Sequence, residues 1–464
     1  MKFRVLVAAS TFALTLGIAS SANAQSIAQA LAAAYDHAPD LQSALLSAKS
    51  SAEDIVRAES GKRPTIGATL GSNYNWRVGP GAVGQGGQNA SGAFTGSATL
   101  SAGLGYRQNI FDNFQTEAQI EGARAQAEAA EYRIRDTEQN VLLDVVEAYM
   151  DVLTGQQLVA LRQENLTFSR AQLQSAQDRL EVGEGTRIDV AQAEARLAQG
   201  QAAYQVAVAS LEISQATFQR LVGMAPRNLS VSHNYAQLIP SALQSAIAEA
   251  EMGHPAILLA KAGIRAAQAG SDAAQAAFGP SVSVSGNVGS SYVLSEGGSG
   301  PTGLAGSLGI EISVPIYAGG ALGSGVRKAN IEQIRSEVGA MGAYDLVRQA
   351  VIAAWSGIQS ADAQITAAQA AVSAGQEVLE GVIQERDLGT RTTLEVLNAQ
   401  AELTTAREGL INASSGKVVA TFSLLAAIGR LTAADLGLPV EIKTAVPYTQ
   451  TVEDVWQELR TVAD

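Results

Sequence analysis

The sequence predicts an α+β membrane protein built from one unit that occurs twice, with very long helices and four membrane-type strands per chain. Three observations support this class. Segments in the two halves match at a fixed offset of 206 residues, proline is absent from 81–225 and from 316–438, and four segments alternate apolar with polar residues. Because an interior proline costs a helix about 3 kcal/mol, such long proline-free spans favour very long helices.

The N-terminus has the pattern of an export signal. Lys2 and Arg4 precede an apolar run over 5–18, and Ala22-Asn23-Ala24 supplies the small residues that a signal peptidase accepts. We interpret 1–24 as a Sec signal peptide. A membrane anchor is the alternative interpretation, which the shortness of the apolar run disfavours.

The amino-acid composition argues against several classes of function. The net charge is −13 at pH 7, and it becomes −15 without Lys2 and Arg4. An acidic surface argues against nucleic acid as a partner. The chain has no Cys, which excludes disulfides and thiol chemistry. No later stretch reaches about 18 uninterrupted apolar residues, so entry into a membrane would require β-strands.

The first repeat is predicted to cover 25–230. It contains a helix with a possible break at Pro39, strands 65–77 and 97–110, a long helix 113–182 and a helix 187–221. Apolar and polar residues alternate along the strands, whereas apolar residues recur at helical spacing along the long helix. The members of these patterns include Ile66, Ala68, Leu70, Tyr74 and Trp76 in the strand, and Val141, Val145, Ala148 and Val152 in the helix.

The second repeat is predicted to cover 231–436 and follows the same order. It contains a helix 241–277, strands 281–292 and 304–315, a long helix 319–388 and a helix 392–428. Pro255 and Pro280 stand 216 residues after Pro39 and Pro64. The offset then falls to 206, because the glycine-rich loop between the strands is shorter in this half. A C-terminal tail, 437–464, remains.

Four strands cannot close a membrane pore, since the smallest membrane barrels use eight. Several copies of the chain must therefore contribute strands to one barrel, and a cyclic oligomer is the simplest such arrangement. The helices are rich in Ala, Gln, Glu and Ser, which suits packing against neighbours on both sides. The sequence therefore predicts a wall of helices.

Two hairpins carry a family resemblance. Gly389-Thr390-Arg391-Thr392, followed by Glu395-Val396-Leu397-Asn398-Ala399, and its counterpart Gly183 with Asp189-Val190 resemble the TolC family of outer-membrane efflux and secretion ducts. The resemblance spans nearly the whole mature chain. It implies a homotrimer in which a 12-stranded β-barrel is continuous with a periplasmic α-barrel, and it implies an equatorial or disordered tail.

The resemblance also implies a location and partners. The location is the outer membrane of a Gram-negative bacterium, extending into the periplasm. The partners are outer-membrane lipid, a periplasmic adaptor protein and an inner-membrane transporter of the ABC or RND class. Cargo stays open between proteins, as in type I secretion, and small molecules, as in multidrug efflux.

The hairpin turns are predicted at Gly183 and Gly185 and at Gly389 and Thr390. Gly389 can take the left-handed backbone conformation that ends a helix. Thr390 or Thr392 can cap the helix that follows.

The aperture residues come from the resemblance. It implies that Arg391 reaches Asp189 and that Glu395 contributes to an acidic ring. Asn398 stands at the second ring position, and Arg386 replaces a Tyr of some members, so Arg386 could pair with Asp189 instead. The alternative is that all five are solvated side chains at helix turns, with ion pairs worth about 0–1 kcal/mol each.

Other functions have weaker support in the sequence. The three His residues lack metal-ligand spacing, and we expect no cofactor, no metal and no enzymatic activity. The glycine pattern at 79–84 is predicted to be an exposed loop, since no helix follows it. The rival functions are a periplasmic structural coiled-coil protein, which the membrane-type strands disfavour, and a free-standing porin, which needs more strands.

Overall fold

The computed structural model describes residues 25–79, 93–230, 235–295, 298–453, 455 and 457–458. The predicted signal peptide and loop residues 80–84 lie outside them. The first repeat contains α1 (Ile27–His37), α2 (Pro39–Glu59), β1 (Thr65–Gly79), β2 (Ala93–Phe111), α3 (Gln115–Glu181) and α4 (Arg187–Val222). The second contains α5 (Leu243–Gly253), α6 (Pro255–Ala276), β3 (Ser281–Ser295), β4 (Gly298–Ser313), α7 (Ala321–Asp387) and α8 (Thr393–Ala427). Helix α9 (Val446–Glu453) follows.

Two prolines divide the short helices. Pro39 is the first residue of α2 and Pro255 the first of α6, and the residues before them, Ala38 and His254, have extended backbones. Proline lacks an N–H and disfavours a helical conformation at the preceding residue. The single helix predicted for 241–277 is therefore two helices, α5 and α6.

The long helices α3 and α7 contain 67 residues each. At 1.5 Å per residue, each is about 100 Å long. Their bounds lie one or two residues inside the predicted spans 113–182 and 319–388. The shorter helices α4 and α8 follow them after tight turns.

The four strands form one antiparallel sheet in the order β1-β2-β3-β4. The prediction of four strands per chain beside long helices is confirmed. Strand β2 starts at Ala93, earlier than predicted, and β4 covers 298–313 instead of 304–315. Pro301 lies in β4, which is an edge strand of the sheet within one chain and so tolerates a residue without an N–H.

One face of the sheet carries large apolar side chains that a single chain leaves exposed. Leu70, Leu304 and Leu308 are 87%, 80% and 81% exposed. The register places Leu70 and Leu304 on the same face, because Leu70 lies opposite Ala102, Ala102 opposite Ser290, and Ser290 opposite Leu304. An exposed apolar face of this extent indicates a lipid or protein contact.

The two helix turns belong to one compact unit, whose described residues fall within 25–37, 144–236 and 362–419. Inside it, the Tyr149 hydroxyl group lies 2.7 Å from the carbonyl oxygens of both Gln25 and Ser230. The Tyr149 ring lies 6.2 Å from the ring of Phe218, between centroids. The unit draws on both sequence repeats, so a repeat is not a separate compact body.

The sheet belongs to a second unit, which combines 38–143, 237–361 and 420–464. The described part of the tail contains α9, which packs on α2. The Tyr448 hydroxyl donates to Glu53 at 2.7 Å, and the Lys49 ammonium lies 5.2 Å from the centre of the Tyr448 ring. The Ala445 N–H donates to Glu131 at 3.0 Å.

Among the described residues, α8 has the length and composition to cross a membrane, with an 18-residue window of mean hydropathy 1.3. Its side chains are used in packing instead. Val396, Leu403 and Phe422 are 0%, 2% and 0% exposed. Lys417 pairs with Asp362 of α7 at 2.7 Å. We therefore assign α8 to the helical packing.

Candidate functional site

The first turn joins α3 to α4 and depends on glycine. Gly183 has φ +83°, a conformation that costs a side chain energy but not glycine. The N–H groups of Glu184 and Gly185 donate to the Arg179 carbonyl at 2.8 and 2.9 Å. These bonds satisfy a carbonyl that the helix end would otherwise leave free.

The second turn joins α7 to α8 in the same way. Gly389 has φ +79°. Both the N–H and the hydroxyl of Thr390 donate to the Glu385 carbonyl, at 3.0 and 2.8 Å. Of the two candidate caps, Thr390 thus closes α7, and Thr392 caps α8.

Asp189 and Glu395 hold equivalent places in two capping boxes. The Asp189 N–H donates to the Thr186 hydroxyl at 3.2 Å, and the Asp189 carboxylate accepts from the Thr186 N–H at 3.0 Å. Glu395 and Thr392 repeat this arrangement at 3.3 and 2.8 Å. Each carboxylate therefore stabilises the start of its own helix.

Arg391 lies between two carboxylates of its own hairpin. It donates to Glu385 and to Glu395, at 2.7 Å in each case. Asp189, the partner that the resemblance implied, is occupied by Thr186. Among the residues described in one chain, no bond between Arg391 and Asp189 is therefore formed.

These contacts change the acidity of Glu395. The Thr392 N–H, then the Arg391 guanidinium and the Thr392 hydroxyl, lower the pKa of Glu395 from 4.5 to about 2. Glu385 and then Glu395 raise the pKa of Arg391. Both groups are exposed, so solvent and salt screen their attraction.

Arg386 is the buried charge of the site, with 8% of the residue exposed. Its guanidinium donates to the side-chain carbonyl of Gln172 on α3 at 2.5 Å and to Asp387 at 2.8 Å. It is not bonded to Asp189 in the part of the chain that the structure describes. Arg386 therefore ties α7 to α3, where a lost partner would leave a buried polar group unsatisfied.

Asn398 makes the second tie between the hairpins. Its side-chain carbonyl accepts from Arg196 of α4 at 2.8 Å. Asn398 thus contacts a cation directly, in the position where the resemblance placed a ring carboxylate. Together with Arg386, it attaches the α7–α8 hairpin to the α3–α4 hairpin.

Sequence reasoning missed a polar cluster farther along the same helices. The Asn165 side-chain oxygen lies 3.4 Å from the Gln400 amide and 3.5 Å from the Thr404 hydroxyl. Arg407 pairs with Glu164 at 2.9 Å. The spacing of Gln400 and Thr404, four residues apart on one helix face, was the available signal.

Apolar residues pack around these polar contacts in two clusters. One contains Leu379, Val396, Ala399 and Leu403, and the other contains Ala176, Ala193 and Leu397. Val396 and Leu397 follow Glu395 directly, so the start of α8 is held by packing as well as by its cap. The turns therefore present charged side chains on a packed base.

The described residues contain no group of three or more His, Asp or Glu that could hold a metal ion. His254 caps α6, because its Nδ1 atom accepts from the Ala256 N–H at 3.1 Å. His37 ends α1. His233 lies outside the described residues.

Comparison with known proteins finds one family across most of the chain. A sequence model of the outer membrane efflux protein family matches residues 30–224 and 246–430. The outer membrane efflux protein BepC of Brucella suis is 35% identical over 443 residues, covering 95% of this chain and 93% of BepC. The outer membrane protein TolC of Vibrio cholerae is 26% identical over 435 residues, covering 91% of this chain and 94% of TolC.

The fold is also similar to solved structures. The CmeC outer membrane channel of Campylobacter jejuni has a TM-score of 0.75 at 16% identity. The match covers 92% of this chain and 88% of the CmeC chain. At that identity the likeness supports the fold of long helices and a four-stranded sheet.

Proposed function

This chain belongs to the outer membrane efflux protein family, and we propose that three copies of it form one duct through the outer membrane. The family is one of efflux proteins of the Gram-negative outer membrane. In the proposed trimer, twelve strands form a β-barrel in the membrane. The helices of all three chains form a hollow α-barrel in the periplasm.

The main support for this proposal comes from the two edge strands of the sheet. Within one chain, the described sheet ends at β1 on one side and at β4 on the other, with strands of 15 and 16 residues. Unpaired strand edges are not tolerated in hydrocarbon. Pairing β1 of one copy with β4 of the next satisfies both edges, and a closed ring of copies leaves none free.

The two faces of the sheet support the same arrangement. The apolar face, with Leu70, Leu304 and Leu308, suits lipid. The opposite face is polar and small, with Thr69 opposite Gly103 and Gly103 opposite Gly289. Such a face suits a water-filled lumen.

We place the periplasmic aperture at the two helix turns. In this proposal, Glu395 and Asp189 line the passage, and Arg391 holds the α7–α8 turn together. Arg386 and Asn398 attach that turn to the α3–α4 hairpin. Threefold repetition of Glu395 would focus a negative potential that favours cations.

The duct is passive in this proposal and works with partners. An adaptor protein in the periplasm docks at the helical end, and an inner-membrane ABC or RND transporter supplies the energy. Capture of the cross-linked complex from cells would identify which transporter class is bound. It would therefore also separate protein cargo from small-molecule cargo.

Disulfide cross-linking tests the ring directly, because the chain has no Cys of its own. Ser72→Cys in β1 is combined in turn with Leu304→Cys, Ala305→Cys or Gly306→Cys in β4. We expect oxidation to give cross-linked dimers and trimers and no larger species. The control pair, Ser101→Cys with Ser291→Cys, lies on facing positions of β2 and β3 and should cross-link within one chain.

Monomeric mass in detergent, or cross-links confined to single chains for every β1–β4 pair, would contradict the trimer. Planar-bilayer recording adds the functional test. A trimer that never conducts would contradict the duct.

A further inference from the structure

A cleft of 190 Å³ lies at the junction of strand β2 and helix α3. Its lining combines one cation, two anions and two aromatic rings: Lys62, Asp112, Glu117, Phe111 and Phe114. The efflux function described above uses none of these residues. All of them belong to the unit that contains the sheet.

The cleft continues the apolar face of the sheet. Gln108 lies opposite Val284, and the register shift between Asn109 and Phe111 brings Phe111 opposite Val282. A bulge of this kind turns the next side chain to the other face. Phe111 therefore lies on the same face as Val282 and Val284, at the end nearest the helices.

The charged groups of the cleft form a pair that solvent can reach. The Lys62 ammonium lies 2.8 Å from the Glu117 carboxylate, and both side chains are about half exposed, at 47% and 46%. Asp112 is already used, because its carboxylate accepts from the Thr116 N–H at 3.1 Å. Of the three charged groups that line the cleft, Lys62 and Glu117 are therefore the two that no helix cap uses.

The backbone beside the cleft is strained. Asn113 and Phe114 have φ of +56° and +66°, whereas the matching positions of the second repeat are Gly319 and Gly320, at +64° and +85°. A bulky residue in this conformation is unfavourable, and such strain concentrates at functional positions. The first repeat thus keeps an aromatic ring where glycine would fit without strain.

The Phe114 side chain is available for contact. It is 65% exposed, and its ring lies edge-on to Phe111 with centroids 5.8 Å apart. In the second repeat, Phe278 and Gly323 replace Lys62 and Glu117, at offsets of 216 and 206 residues. The matching positions of the second repeat therefore lack the combination of charge pair and strained ring.

We propose that this cleft binds the headgroup of a zwitterionic glycerophospholipid of the periplasmic leaflet. The Lys62 ammonium binds the lipid phosphate, the Glu117 carboxylate binds the lipid ammonium, and Phe111 and Phe114 contact the glycerol and the first acyl carbons. An anionic headgroup without an ammonium would leave Glu117 facing the phosphate, which disfavours it. The proposal rests on the proposed placement of the strands in the bilayer.

Native mass spectrometry of the full-length protein tests this. The protein is released from detergent containing equal amounts of phosphatidylethanolamine and phosphatidylglycerol. We expect each trimer to retain up to three phosphatidylethanolamine molecules. Phosphatidylethanolamine should be preferred over phosphatidylglycerol by about fivefold, which is the effect expected of one additional exposed ion pair. Inorganic phosphate added in excess should not displace the lipid.

Three variants locate the binding. Lys62→Met should reduce retention of both lipids, because both carry the phosphate that Lys62 binds, whereas Glu117→Gln should abolish the preference for phosphatidylethanolamine. Phe114→Gly should reduce retention of both lipids, and it should fold at least as well as the natural chain because glycine suits φ +66°. The control Lys328→Met removes the same charge from the exposed surface of α7, away from the cleft, and should change nothing.

Equal retention of the two lipids, or unchanged retention in both Lys62→Met and Phe114→Gly, would overturn the proposal. Displacement by inorganic phosphate would assign the cleft to a free anion and overturn it too. The same spectra report the mass of the assembly. A monomeric protein would count against the proposed trimer, whereas a trimer without lipid preference would count against the lipid site alone.

Discussion

Glu395 shows how one side chain can cap a helix and still carry the charge that the proposed aperture requires. Its carboxylate accepts from the Thr392 N–H, the Thr392 hydroxyl and Arg391. All three donors belong to its own turn. The acidic character that the sequence suggested for this position is therefore combined with a helix cap.

We predict that Glu395→Gln lowers the cation preference of the channel and that this effect persists in acid. Because the pKa of Glu395 is lowered from 4.5 to about 2, the carboxylate stays charged until the pH approaches 2. Its contribution to stability is complete above pH 4.5 and is lost as the pH falls toward 2. Reversal potentials in a KCl gradient, at pH 7 and about pH 3.5, measure this.

With an ordinary pKa, about nine-tenths of the carboxylate would be protonated at pH 3.5, and variant and natural protein would then agree. That outcome would contradict the lowered pKa. Equal reversal potentials at pH 7 would contradict the position of Glu395 in the passage.

Arg386 behaves differently because it is buried and crosses between hairpins. We predict that Arg386→Met and Gln172→Met each weaken the attachment of α7 to α3 by about 1–3 kcal/mol. Each variant leaves a buried polar partner unsatisfied. The double variant should cost no more than the worse single one, because both partners are then apolar. Open times of single channels in planar bilayers measure the effect, and we expect longer openings in the single variants.

Arg391→Ser provides the comparison for Arg386. Arg391 contacts Glu385 and Glu395 on its own hairpin and is exposed, so its loss should lengthen openings less. A larger effect for Arg391→Ser than for Arg386→Met would argue that Arg391 links hairpins of different chains.

At the scale of elements, the two turns use the same local design. Each long helix ends at a glycine with positive φ, and each following helix starts with a Thr and an acidic residue three positions later. Because the design depends only on neighbouring residues, it can recur at both turns, which lie 206 residues apart in the sequence.

We predict that Gly389→Ala destabilises the protein by about 1–2 kcal/mol, because alanine is strained at φ +79°. Gly381→Ala is the matched control within α7. Its added methyl group would meet nothing within 4 Å. It should stabilise the helix by up to about 1 kcal/mol. Urea unfolding followed by helical circular dichroism measures both changes, and a shift of the same sign in both variants would contradict the role of the turn.

At the scale of the whole molecule, the apolar face of the sheet sets the environment that the chain requires. Leu308 and Gly309 are neighbours in β4, so a side chain placed at position 309 would point to the face opposite Leu308. Leu308 is 81% exposed in a single chain. Lipid that covers this face would remove the leucine from water.

We predict that Leu308→Lys impairs insertion into the outer membrane, at a cost of about 2–4 kcal/mol if the position lies near the bilayer midplane. Gly309→Lys on the polar face should insert normally, since the nearest atom to its added carbon is the Ser285 hydroxyl at 3.8 Å. The yield of folded protein in outer-membrane fractions measures both. Equal yields would contradict the assignment of the apolar face to lipid.

Much of this architecture was predictable, because it depends on residues close together in the chain. Proline-free spans predicted the long helices, and period-two alternation at Ile66 and Leu70 predicted β1. Boundaries were harder to predict where local signals compete. The break at Pro255 and the early start of β2 at Ala93 are examples.

The contacts of the candidate site were not predictable in the same way. The sequence alone established the duplication, the turns at Gly183 and Gly389, and the capping potential of Thr392, since these need only local or repeated sequence patterns. Pairing Arg386 with Gln172 joins residues 214 positions apart. The long Arg386 side chain can reach many positions, and only the packing of α7 against α3 places it beside Gln172.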